Sequence, residues 1–434
     1  MWQRGVMGKE PAVAAPQDLG GGLILKTAQG ADDIERIAQL HGLVFDEAAA
    51  TATRILASGY PGLRPQDLSY VEDTASGEVV SSICLVPTVW RYEGVPLHVG
   101  ELGIAGTHPD YRRRGLVRAQ MRWFEGQLEA RGFHMASIQG IPFFYRQFGY
   151  EYIIPMGHGY ELNPERVPEP LEADAASTVR RATPGDMPLL LEYLAAAQAS
   201  LGVSLERSAE TWLYQDDPAR EDDDALDTYL TLEAGQPTGY FRVYRREVQE
   251  AHRQGVVVVE ASPLPYRSSL AALRMAKELA AGRRHLKAIR FSLPTSSPLV
   301  WMAAYLGARW QQPYAWQVRI PNAVRFLKAI APVLERRLAG SFLAGYNSFL
   351  RIDLYTDTIE LGFDKGRLAS IRSLGPIESR AVRLPWWAAW QLWLGHRSRE
   401  ELCAWYPDAR VEPALQPLID VLFPKRESWV FPTL

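Results

Sequence analysis

Along residues 97–150 the spacing of apolar positions changes period twice, and the rest of the chain is arranged around this stretch. Residues 97–107 make a strand-like run that contains Gly103 and Gly106. A turn at His108-Pro109-Asp110-Tyr111 follows, and from Arg112 onward the chain reads as a helix. Val117, Met121, Phe124 and Leu128 recur four, three and four positions apart, which puts them on one helical face. Residues 134–138 return to a short apolar strand. It ends in a loop, residues 140–150, dense in aromatics: Phe143, Phe144, Tyr145, Phe148 and Tyr150.

Upstream, residues 23–27 predict a strand, and Asp32 predicts the cap of a helix bearing Ile34, Ile37, Leu40 and Val44 on one face. Residues 68–72 and 79–86 predict two strands joined by a turn with Asp73, Ser76 and Gly77. Residues 92–96 predict a further turn, and a last strand is expected near residues 150–160. Strand, helix, three strands, helix, strand, loop and strand make an α/β domain with a mixed sheet. Residues 1–21 hold Pro, Ala and Gly without a continuous apolar run, so they read as a disordered tail and not as a signal peptide.

Residues 163–176, rich in Pro, Glu and Ala and without periodicity, read as a linker. After it the pattern starts over. Val179 to Asp186 with a helix over residues 189–197 echoes Leu25 to Asp32 and its helix. Residues 229–232 and 240–244 repeat the strand pair around Gly235-Gln236-Pro237, and residues 256–260 repeat the long strand. Pro265-Tyr266-Arg267-Ser268-Ser269-Leu270 stands where Asp110 to Gly115 stood, and Leu306-Gly307-Ala308 where Phe148-Gly149-Tyr150 stood. This self-similarity predicts a duplicated fold. The second copy keeps one arginine, has no glycine matching Gly115, and carries Ala303 where Tyr145 stands, so it reads as scaffold. From Asn322 the composition shifts again. Val324, Leu327, Ile330 and Leu334 predict an amphipathic helix, residues 348–355 and 358–363 two strands, and Trp386, Trp387, Trp390 and Trp393 a further helix. The domain plan is therefore a tail (1–21), a first α/β domain (22–162), a linker (163–176), a second copy (177–320) and a third domain (321–434).

Composition narrows the function classes. At 434 residues, 47% apolar and 22% charged, the chain is an ordinary globular protein of two or three domains. A net charge of −3 gives no reason to expect a nucleic-acid partner, and no apolar run is long enough to span a membrane. Two cysteines, Cys84 and Cys403, argue against a disulfide framework and fit a reducing cytoplasm. No metal-ligand constellation is present, so no metal is expected.

The chemistry concentrates at Arg112-Arg113-Arg114-Gly115. The first N–H groups of a helix lack internal partners and sit at the positive end of its dipole. A diphosphate laid there meets main-chain donors, and Gly115 permits close approach. Arg112, Arg113, Arg114 and Arg118 add forked donors suited to phosphate. Three arginines at a helix start are otherwise a solvated face. Because positive charge there opposes the dipole, a bound anion is the favoured explanation.

Tyr111-Arg112-Arg113-Arg114-Gly115-Leu116 resembles motif A of the GNAT superfamily of N-acetyltransferases, R-x-x-G-x-G/A, with Val117 at the last position. The run Arg112 to Arg118 and the loop Phe144 to Tyr150 resemble the enhanced intracellular survival (Eis) family within it. The resemblance spans about residues 22–434. It implies tandem GNAT folds followed by a sterol-carrier-protein-like α+β domain, acetyl-CoA as co-substrate, and a homo-oligomer, a hexamer in the family. It also implies an activity: acetyl transfer to primary amines of a small cationic substrate of aminoglycoside or polyamine type. Pantetheine would pair with Ala105, Gly106 and Thr107. Arg112, Arg113, Arg114, Gly115, Leu116, Val117 and Arg118 would hold the pyrophosphate, with Gly140 and Ile141 completing the cofactor set. Tyr145 matches the acid that protonates the departing CoA thiolate, and the C-terminal carboxylate, here on Leu434, matches the base. Glu101 and His108 are the alternative bases, and Glu221-Asp222-Asp223-Asp224 is a candidate attractant for a cationic acceptor. A protein or peptide acetyltransferase and a non-catalytic acyl-CoA or lipid-binding module are the competing readings.

Overall fold

The protein is described by a computed structural model that covers residues 15–157, 159–247, 254–284, 287–377 and 381–432. The first domain is built on strands β1 (Gln17–Gly20), β2 (Leu23–Thr27), β3 (Leu68–Asp73), β4 (Val79–Tyr92), β5 (Val95–Thr107), β6 (Met135–Ile138) and β7 (Glu151–Met156). Helices α1 (Ala31–Val44), α2 (Glu47–Gly59) and α3 (Leu116–Ala130) cover its faces. Neighbours run β1 to β6 in order, antiparallel except for a parallel β5–β6 pair. On one face Met121, Phe124 and Leu128 of α3 pack on Leu85, Leu102 and Ile138. On the other, Ile37, Leu40, Leu56 and Tyr60 pack on Leu68, Cys84 and Val86, which makes Cys84 plain core. A Cβ on Gly100 would come 2.5 Å from Leu128 Cδ2, so that glycine sets how closely α3 lies on the sheet.

Four expectations need correction. Gln17–Gly20 is not tail: it pairs with Leu25, Ile24 and Leu23, an ordering made by backbone bonds that apolar content does not reveal; residues 1–14 lie outside the described residues. The first helix starts at Ala31 with Gly30 at its cap, and it is Asp33, not Asp32, whose carboxylate reaches back to the Gln29 N–H (2.9 Å). Helix α2 was not anticipated. Its inward face, Ala50, Thr53 and Leu56, is made mostly of small residues, and Asp46 caps it by accepting from the Ala49 N–H at 2.9 Å. The third helix begins at Leu116, so the arginine run lies in the turn before it.

The last two sheet positions of the first domain are separated by a strand from far downstream. Tyr314–Arg319 lies antiparallel between β6 and β7, with Gln317 opposite both Ile138 and Tyr152. The second sheet repeats the arrangement: its strands Ser177–Arg181, Leu226–Glu233, Gln236–Tyr244, Val256–Ala261 and Ile289–Phe291 follow in order, and then Tyr160–Leu162 is inserted before Arg309–Trp310. Each copy thus lends one strand to the other. The second copy's order supports the duplication, and the exchange explains why a sequence boundary at residue 162 is not a sheet boundary.

In the third domain, helix Ala323–Ala339 is capped by Asn322 and packs with a sheet of Phe349–Asp353, Thr358–Asp364 and Arg367–Ser373. Helix Trp386–Trp393 turns Trp390 and Trp393 inward, with Trp393 stacked on Phe326 at 6.1 Å and 9°. These tryptophans are core. No helix among the described residues is long and apolar enough to cross a membrane. A fragment ending at Leu162 lacks the strand that joins β6 to β7, including buried Trp316 and Val318. Such a fragment should show no cooperative thermal transition by circular dichroism, whereas one extending through Arg319 should.

Candidate active site

A gap opens where β5 and β6 part. They pair only over Val99, Gly100 and Glu101. Beyond that point β5 keeps β4 on one edge, while the far edge of β6 is taken by Tyr314–Arg319. Between Gly103 and Gly106 the β4–β5 register slips, with Cys84 opposite Gly103 and Ser82 opposite Gly106. The slip is a β-bulge, which glycines inside a strand permit. Gly106 is also required by a close approach: a Cβ there would sit 3.0 Å from His41 Cδ2. Buried Gln120 of α3 accepts from Ser81 Oγ (2.7 Å) and donates to the Ser69 carbonyl (3.2 Å), and Ser81 Oγ lies 3.2 Å from the Gly106 carbonyl. Helix and open edge are thereby tied together. Glu101 lies at the parting point, 2% exposed.

At the outer end of that edge the arginine turn meets α3. Arg113 and Gly115 both have left-handed backbone, φ 65° and 79°. Gly115 is the helix cap, no side chain bonds the first helical N–H groups there, and a Cβ on it would meet nothing within 4 Å. Arg112 Nε donates to the Thr107 carbonyl (3.4 Å), Arg114 donates to the Asp110 carbonyl (3.0 Å), and Arg118 donates to Gln147 Oε1 (3.1 Å). Arg114 also stacks over Tyr111. Among the described residues none of the four forms an ion pair, so their charge is available to an anion. Leu116 is buried, and Val117 packs against the cluster that holds Met121, Phe124 and Tyr145. The branched Val117 is accommodated because it faces the core.

Phe144–Phe148 forms one tight turn of helix. Tyr145, 6% exposed, meets Phe144 edge-on at 5.0 Å and Tyr150 at 6.1 Å. Burial pushes its hydroxyl up to about 12, so it stays protonated and able to donate. The ring lies against Gly140: a Cβ there would fall 2.3 Å from Tyr145 Cδ2. The Gly140 carbonyl is bound by Tyr314 and Gln317 of the inserted strand, while Ile141 is exposed.

On the opposite face His41 is buried, with Nδ1 2.7 Å from Thr53 Oγ1 and Nε2 2.6 Å from Ser82 Oγ. Burial lowers it to about 4, so it is neutral. His108 caps its own turn by accepting from the Asp110 N–H (3.3 Å), a local role that distances it from base chemistry. Asp222 is not a free carboxylate: it is buried against Arg220 (2.8 Å), whereas Glu221 beside it is exposed. The C-terminal segment is packed and not frayed. Trp429 bonds the Val203 carbonyl (3.0 Å), Phe431 is buried, and the Pro432 carbonyl accepts from Arg207 and Gln215, each at 2.9 Å. Arg207 is itself clamped by Glu260 at 2.7 Å. Buried Tyr60 has its hydroxyl pushed up by burial and by the Glu101 carboxylate, against the Arg207 cation, so the packed tail and the strand gap bear on one residue. Thr433 and Leu434 lie outside the described residues.

The second copy offers no such cradle. Pro265 stands at the start of its helix Tyr266–Ala281, and buried Ser268 in the first turn donates to Glu233 (2.9 Å). His41, Tyr60, Arg207, Gln215, Tyr314 and Gln317 were not found from sequence. Only the polar Gln317 inside an apolar strand signalled anything.

Residues 26–153 match the family described as acetyltransferase (GNAT) domain. The first domain is an acetyltransferase domain. GNAT domains use acetyl-CoA as their co-substrate, which the open edge and basic cradle suit. No curated protein sequence matches the chain. Among solved structures the chain resembles a protein of unknown function from Enterococcus faecalis V583, titled a probable N-acyltransferase, at 16% identity and TM-score 0.71. It also resembles a GCN5-related N-acetyltransferase from Anabaena variabilis at 13% and 0.68, and Eis1 from Mycobacterium abscessus at 14% and 0.60. Each likeness covers 94% of this chain and 99% of the other, so the fold is shared over nearly the whole chain. In the acetyltransferase domain, Gly115→Ala costs about 1–2 kcal/mol in left-handed strain and puts a methyl in the cradle. Acetyl-CoA affinity by calorimetry should fall at least about tenfold (~1.4 kcal/mol) with a Tm change of only a few degrees.

Proposed function

We propose that this N-acetyltransferase moves the acetyl group of acetyl-CoA onto a primary amine of a small cationic substrate, of aminoglycoside or polyamine type, as an Eis-family enzyme. What supports the reading is convergence: the free β5 edge, the unpaired arginine turn and Tyr145, which shares a core cluster with Leu102, Ala105 and Val117, belong to one region of one sheet. In this reading the pyrophosphate rests on the N–H groups from Gly115 to Arg118 with Arg112 to Arg114 around it. Pantetheine extends the sheet at Ala105, Gly106 and Thr107, and the thioester is delivered toward Glu101 and Tyr145.

The amine attacks the thioester carbonyl directly. It must first lose a proton, its pKa being about 10, which calls for a base. The terminal carboxylate on Leu434 is the favoured base, supported by a tail held through Pro432 by the buried Arg207–Glu260 pair; Glu101 is the second choice. As the tetrahedral intermediate collapses, the C–S bond breaks and Tyr145 passes its proton to the CoA sulfur. Exposed Phe45, beside Gly106, offers an aromatic wall to the acceptor. The enzyme is cytoplasmic in this reading.

Replacing the acid tests the assignment. Tyr145→Phe should lower kcat by about 10²- to 10⁴-fold with acetyl-CoA binding retained. Unchanged kcat would remove Tyr145 from the mechanism. The pH profile follows from the same shift. A tyrosine raised to about 12 stays protonated below that value, so Tyr145 should cause no alkaline fall in kcat up to pH 10, and His41, lowered to about 4, no limb near pH 6.5. Stopped-time assays of free CoA from pH 5 to 10 read both.

A further inference from the structure

The strand that the second copy lends to the acetyltransferase domain carries two side chains whose donors meet on one atom near the chemistry. Gln317 stands where β6 ends, opposite Ile138, and its Nε2 donates to the Gly140 carbonyl at 2.8 Å. The Tyr314 hydroxyl donates to the same oxygen at 2.5 Å, and the two side chains touch each other at 3.2 Å. Tyr314 packs edge-on against Tyr152 of β7 (5.8 Å, 78°), and the Tyr152 hydroxyl accepts from the Phe143 N–H at 2.8 Å. The chain from Gly140 to Phe143 is therefore held at both ends.

What that short segment carries is the Tyr145 ring. Any side chain at Gly140 would collide with the ring carbons, at 2.3 and 2.4 Å, and the same space lies 3.3 Å from Gln317 Nε2. Carbonyl, glycine face and ring form one stack, so a shift of Gly140 shifts the tyrosine. Phe143, with φ 69°, is a strained non-glycine residue in the same segment, and such strain persists only where the surroundings over-determine the backbone. Gln317 itself is kept at a cost. It is fully buried, and its Oε1 has no partner among the described residues. An unsatisfied buried acceptor destabilises, and an apolar residue of the same size would be the more stable choice in that strand. The amide's use is at Gly140.

We propose that Tyr314 and Gln317, supplied by the copy without a cradle of its own, are positioning residues for Tyr145: they fix the Gly140 carbonyl and through it the seat of the proton donor. This rests on the reading of Tyr145 as the acid. It gives the second copy a part in the reaction and explains why its last strand, and not only its bulk, lies inside the first sheet.

The test uses the full chain. Tyr314→Phe removes one hydroxyl and keeps the ring; Gln317→Met is a second variant of similar volume. Each should lower kcat about 10- to 100-fold, the cost of a misplaced catalytic group, while the KM for acetyl-CoA changes by less than about twofold. In a Tyr145→Phe background, where no proton donor remains to be placed, adding Tyr314→Phe should change the residual kcat by less than about twofold. An equal loss in both backgrounds, an unchanged kcat, or a loss confined to KM would overturn the proposal. So would a kcat loss that disappears on cooling below a lowered Tm, since that marks stability alone. Failure of the underlying reading has a different signature: Tyr145→Phe with wild-type turnover.

Discussion

The insertion of Tyr314–Arg319 between β6 and β7 is the constraint on which the rest depends. A strand has two edges. With one edge of β6 given to the inserted strand and the other to only three residues of β5, the remainder of β5 is left without a neighbour on the edge away from β4. An unpaired strand edge in a folded protein is a liability unless something covers it. Here the bulge between Gly103 and Gly106, the Ser81–Gln120 tie and the tight seat of Gly106 on His41 keep that edge rigid. Its main-chain groups are in place for a ligand that brings its own amides, and pantetheine is such a ligand.

Charge is arranged with the same economy. The arginines precede α3 in a turn with two left-handed residues, so the cradle is made of main-chain N–H groups and the guanidinium groups ring it. In the second copy Pro265 starts the equivalent helix, Ser268 and Ser269 are buried, and Ser268 donates to Glu233, with no arginine turn before the helix. Fold and site separate cleanly between the two halves: both keep the sheet order, and only one keeps the chemistry.

Much of this was legible in the sequence, and the unread part has physical causes. The periodicity of Val117 to Leu128, the glycine pair in β5 and the repeat after residue 176 are local patterns, and each corresponds to a real element. The strand exchange is a long-range pairing that hydrophobic alternation cannot encode, because Tyr160–Leu162 and Tyr314–Arg319 look the same whichever sheet they join. Helix α2 escaped because its buried face, Ala50, Thr53 and Leu56, holds one large apolar residue among small ones. The motif was legible as far as the arginine run Arg112 to Arg118, by residue type and spacing, whereas Tyr145 stood out from its aromatic neighbours only through the family resemblance. His41, Arg207, Tyr314 and Gln317 act through tertiary proximity, and no spacing along the chain relates them to the cradle.

The central claim is one acyl-CoA site, at the β5–β6 gap of the first domain, in a structure whose second copy has none. Hydrogen exchange of the full chain with and without CoA tests it most directly. The account predicts slowed exchange at Ala105 and Thr107 and at the N–H groups of residues 115–118, with the helix start at residues 266–270 unchanged. Protection at residues 266–270, or none along 105–107, would contradict it.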